Sequence, residues 1–123
     1  MRESDLRRMA LGMEGTVEGA HMGHPDFRVN NRIFATLHGD GECGMVALTP
    51  EQQAQFVRAY PDAFAPERGA WGRAGSTKVR SASVSEETLG EAVTLARQNT
   101  VNKGAIAAKR TRSARPVRRS PTR

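Results

Sequence analysis

His21 and His24 are three residues apart. An H-x-x-H pair supplies two imidazoles to a metal ion when a third ligand converges on it, here Cys43 or Asp26. Convergence needs a helical turn or a loop, whereas Pro25 keeps the residue before it extended. The pair is therefore read as structural, its imidazoles bonded to loop backbone, and no metal site is expected. The run Trp71-Gly72-Arg73-Ala74-Gly75-Ser76-Thr77 has glycines and hydroxyls suited to cradling a phosphate, but no Gly-Lys-Ser/Thr triplet follows a spaced glycine. It reads instead as a glycine turn, with Trp71 as a core anchor. Cys43 lies in a strand-like run without an activating neighbour, which favours an inert thiol. Ser81, Ser83 and Ser85 show no nucleophile-elbow pattern. Neither an enzymatic activity nor a cofactor is expected.

The cations offer a different chemistry. Lys78 and Arg80 are two apart, so on a strand they share one face. Arg73 is expected on the hairpin partner of that strand, and Arg28 and Arg32 flank Asn30-Asn31. With an exposed face opposite the helices, these five would line one basic surface. The competing reading is an ordinary solvated face with Asp26 and Glu18 as partners. The C-terminal segment 103–123 is more one-sided. It carries Lys103, Lys109, Arg110, Arg112, Arg115, Arg118, Arg119 and Arg123 and no acid. All 13 acidic residues lie in 1–102 with 11 basic ones, so the formal charge of +6 divides into −2 for that region and +8 for the segment. Such a segment binds a polyanion through counterion release, without sequence preference because phosphates carry no sequence. DNA is the expected partner. The aromatic content of 5% does not support a base-stacking platform. The alternative is a protein-interaction module that docks a peptide on its sheet.

These residues must be held by regular elements. Leu6, Met9, Ala10 and Met13 give a helical period over about 4–13, with Ser4 as cap. Strands are expected over 16–22, 26–29, 32–37 and 43–48, the middle pair joined by Asn30-Asn31, residues that tolerate positive φ. Thr49-Pro50-Glu51-Gln52 is a helix start, with a capping box and proline at the first position. Residues 61–68 read as a loop, and 71–74 and 77–82 as strands around Gly75-Ser76. Ser85 caps a last helix that buries Leu89, Ala92, Val93, Ala96 and Thr100. The string α-β-β-β-β-α-β-β-α implies an α+β class, a two-layer antiparallel sheet with helices on one face. Residues 1–102 form the expected domain. The segment 103–123, with only Ile106 and Val117 as larger aliphatics, is expected to be a disordered basic tail. Ala105, Ala107 and Ala108 would allow the last helix to extend over Lys103–Arg110, and Gly104 weighs against this.

Leu, Ile, Val and Phe together make 21 of 123 residues, which is lean and suits one small core plus a segment without one. No apolar run approaches a membrane span, and no apolar stretch follows the basic residues near the N-terminus. One cysteine excludes an intramolecular disulfide. No membrane association is expected, and the expected setting is the cytoplasm.

The ordered motifs resemble those of the MmcQ/YjbR family of small bacterial proteins. The resemblance rests on Glu18 to Val29, Arg32 to Leu37, Ala70 to Thr77 and the closing helix through Asn99, and covers about residues 4–101. It implies a two-layer α+β fold similar to secretion chaperones and the frataxin-like sheet. It also implies DNA binding of a double-wing type, and it carries over no catalytic motif.

Overall fold

The computed structural model describes residues 3–38 and 43–114, with Glu3 and 105–114 described by backbone alone. The elements run α1 (Glu3–Leu11), β1 (Thr16–His21), β2 (His24–Val29), β3 (Arg32–Leu37), β4 (Cys43–Ala47), α2 (Pro50–Ala59), β5 (Phe64–Pro66), α3 (Gly69–Arg73), β6 (Ser76–Arg80) and α4 (Glu86–Ala114). All strand pairs are antiparallel, in one six-stranded sheet of order β1-β2-β3-β4-β6-β5. The fold is α+β, with α1, α2 and α4 packed on one face.

Local sequence accounts for most of this. Asn30 and Asn31 sit at φ 52° and 68°, the left-handed pair that a two-residue hairpin turn requires. Thr49 and Gln52 form a reciprocal capping box at the start of α2, with Pro50 at its first position. Ser85 Oγ accepts from the Thr88 amide and so caps α4. Leu89, Ala92, Val93, Ala96 and Thr100 are buried against the sheet, as their spacing predicts. Phe27, Val29, Ala35, Leu37, Val46 and Val79 meet them from the strands. Phe56 and Phe64 pack edge to face at 5.0 Å and join α2 to the edge strand.

Two expectations are corrected. The loop expected over 61–68 contains β5, and Trp71 to Ala74 is helix and turn instead of strand. The two errors have one cause. The strand that pairs with β6 on this side is Phe64–Pro66, so the Trp71 segment is free to coil into the short helix α3. Gly75 then links α3 to β6 at φ 117°, where a Cβ would lie 1.9 Å from the Leu48 carbonyl oxygen. α4 runs past Lys103, the extension its alanines allow, and its backbone stays helical to Ala114. The alanines at 105, 107 and 108 outweigh Gly104 there. Residues 115–123 lie outside the described residues.

Candidate functional site

The face of the sheet opposite the helices carries the chemistry-bearing residues. Register and the two-residue period fix which side chains share it. One row crosses five strands as Gly19, Asp26, Thr36, Met45 and Lys78, and ends at Ala65. A second row has Arg28 opposite Ile33 and Ala47 opposite Ser76. Beyond the first row, on the other side, lie His21 and His24, which pair directly, and then His38. β3 keeps both Ile33 and Thr36 on this face only because a bulge opposite Phe27/Arg28 inserts Phe34, which is buried on the other side.

Asp26 is the centre of this face. It is fully buried, yet it accepts from His21 Nδ1 at 2.7 Å, Arg28 Nε at 2.7 Å and Arg28 Nη2 at 3.0 Å. The Arg28 guanidinium holds its carboxyl below the ordinary carboxylate range. Burial opposes this shift, and His21 adds to it. The same contact raises the Arg28 pKa above its ordinary value. Gly19 makes room for the cluster, because a Cβ there would lie 3.0 Å from Asp26 Oδ1 and 3.1 Å from Arg28 Nε. The carboxylate on Nδ1 fixes the orientation of the His21 ring. The histidine rings stack edge to face in series, His21–His24 at 6.4 Å and His24–His38 at 6.2 Å. His38 Nε2 stands 3.4 Å from the Glu67 carboxylate.

A cleft of about 810 Å³ lies over this face. Its lining includes His21, Ile33, Thr36, His38, Met45, Ala47 and Lys78 from the sheet and Glu67, Arg68, Trp71 and Lys103 around it. Trp71, expected as a core anchor, is instead 77% exposed at the rim, because α3 lifts it off the sheet. The histidines were expected to bond to loop backbone, but His21 bonds to a buried carboxylate. The i,i+5 spacing of His21 and Asp26 becomes adjacency through the His21–His24 turn, and nothing in local sequence marks it.

The five strand-associated cations do not meet in one patch. Arg28 is engaged by Asp26. Arg80 donates to the carbonyls of Pro61 and Asp62. Arg32 pairs with Val29, whose side chain is buried on the helix side, so it lies on the opposite face of the sheet. Arg73 is in the last turn of α3 and is not on a hairpin strand. Lys78 alone of the five lines the cleft. Of the C-terminal cations, Lys109, Arg110 and Arg112 fall on the backbone of α4, and Arg115, Arg118 and Arg119 lie outside the described residues.

Among the described residues no group of three His, Cys, Asp or Glu side chains is arranged to hold a metal ion. None of their helices is long and apolar enough to cross a membrane.

Comparison with known proteins agrees with the architecture. The crystal structure of a Deinococcus radiodurans protein, DR2400, assigned to the DUF419 domain family, superposes with a TM-score of 0.72. The two share 21% identity, over 85% of this chain and 82% of that one, a likeness of fold. No curated protein matches the chain. The family model for YjbR matches residues 11–99, which span β1 to β6 and the core-facing part of α4. The chain belongs to the YjbR family.

Proposed function

We propose that the protein binds DNA without catalysing a reaction, in a cytoplasmic setting, mainly through phosphate contacts from the segment 103–123. The observation that carries this reading is the separation of charge: +8 on that segment against −2 on residues 1–102. α4 adds support, because one continuous helix runs from the sheet into the segment. Of the strand cations, Lys78 is the one available on the open face to add orientation. If all eight charges meet phosphates, the slope of log K against log salt approaches about −7.

The test compares duplex binding across salt for the full chain and for a full-length variant with Lys109, Arg110, Arg112, Arg115, Arg118 and Arg119 changed to Gln. The expected result is steep salt dependence for the first and a much shallower slope for the second. Equal slopes would remove the segment from the mechanism, and no binding by either would remove DNA.

A second reading, a peptide-docking module, draws on the free edge of β1. Among the described residues that strand pairs with β2 alone, and Val17 on it is 63% exposed. An extended peptide adds to such an edge through backbone hydrogen bonds. Recovery of a defined protein partner after nuclease treatment would favour it.

A further inference from the structure

We propose that the cleft over the open face of the sheet binds a small organic anion, an acid head joined to an apolar body. Four observations converge on this chemistry. The cleft's volume of about 810 Å³ is within the range that holds a small molecule. Ile33, Met45 and Ala47 give its floor an apolar strip, and the exposed indole of Trp71 stands at its rim. An apolar body laid on these residues is removed from water, and so is the indole.

The charged groups point the same way. Lys78, Arg68 and Lys103 line the cleft, and none of them makes an ion pair among the described residues. Of the described acids on this face, Asp26 is closed off by Arg28 and His21, and Glu67 is the one carboxylate of the lining set against the three cations. Among the described residues the cleft lining therefore carries more positive than negative charge, although residues 1–102 sum to −2. An anionic head fits that field. The proposal shares Lys78 and Lys103 with the DNA reading but not the apolar strip, which has no part in phosphate contacts, so binding of the decyl anions is read independently of duplex binding.

Trp71 is the sole tryptophan, so its fluorescence reports the rim directly. The experiment titrates full-length protein with decanoate, decyl phosphate, decanol and decylamine, with calorimetry as a second readout. The expected result is a saturable change with decanoate, with decyl phosphate, or with both. The two arms tell a carboxylate head from a phosphate head. Decanol should bind at least about tenfold more weakly and decylamine should not compete. Lys78→Glu should weaken the anion at least about tenfold. Arg68→Glu and Lys103→Glu, at exposed positions where folding is not at stake, should each weaken it several-fold. The proposal is overturned by equal binding of decanol or decylamine, by unchanged affinity in all three variants, or by no saturable binding of either anion up to millimolar concentration.

Discussion

Arg28 grips Asp26 with two nitrogens, Nε on Oδ1 at 2.7 Å and Nη2 on Oδ2 at 3.0 Å, across two positions of the same strand. The usual side-chain separation at i,i+2 does not bring charges this close. Here the carboxylate is fully buried and the guanidinium lies over it, with His21 completing the cluster from β1. The edge strand β1 is thereby tied to β2 by a polar contact in place of apolar packing, because the burial pattern of β1 contains no buried residue.

This cluster makes stability depend on acid. The Asp26 carboxyl is held below its ordinary value of 3.8, so the folded state binds its proton less readily than the unfolded state does. Its contribution is therefore complete above the ordinary value and is lost as pH falls through the lower, native one. Asp26→Asn should cost about 2 kcal/mol at neutral pH and flatten the acid limb of the stability curve. Urea denaturation across pH 2–7 for both proteins checks this, and an unchanged acid limb in the variant would contradict it.

Gly19 is predicted to be required for the same cluster. Gly19→Ala places a Cβ against Asp26 Oδ1 and Arg28 Nε, and should cost about 1–2 kcal/mol. In an Asp26→Ala background the penalty should shrink, since the contacts that collide are gone. A double-mutant cycle in denaturant decides; additive costs would place the effect elsewhere.

At the start of α2, Thr49→Ala should cost about 1 kcal/mol through loss of the cap. Gln52→Ala should cost more. Its Oε1 accepts both the Thr49 amide and, at 2.7 Å, Asn99 Nδ2 of α4. Thermal melts of the two variants would rank them, and the reverse order would show that the link to α4 contributes nothing.

Trp71 should behave as a surface residue. Its emission should be red-shifted and readily quenched by acrylamide in the native protein. Trp71→Ala should change stability by no more than about 0.5 kcal/mol, against the 3–5 kcal/mol of a core tryptophan. A blue-shifted, protected emission would contradict the exposed position.

The sequence carries the core of this fold in plain form. The Asn30-Asn31 turn, the Thr49 capping box and the buried stripe of α4 are local patterns, and local physics decides them. The region from Pro61 to Gly75 is where local reading fails. Phe64–Pro66 is a strand of three residues, too short for alternation to show, and it exists because β6 offers it an edge. Trp71 looks like a core residue by composition alone, and its exposure follows from α3, which is itself too short to show a period. Of the site, the cations were visible one by one, but their partners were not. Asp26 and Arg28 stand two apart on one strand, but that His21 would join them depends on the β1–β2 register. That Arg80 would turn to the carbonyls of Pro61 and Asp62 depends on β5 lying beside β6.

The single extra residue in β3 has a consequence for how this protein can vary. Phe34 changes the parity of the strand: before it, odd positions look outward, and after it, even positions do. The turn at Asn30-Asn31 and the cleft floor at Thr36 are thus written in two different reading phases. Deleting Phe34 would restore a uniform phase and turn one of those halves inside out. A change of one residue in length at this point is therefore more disruptive than most substitutions along the same strand.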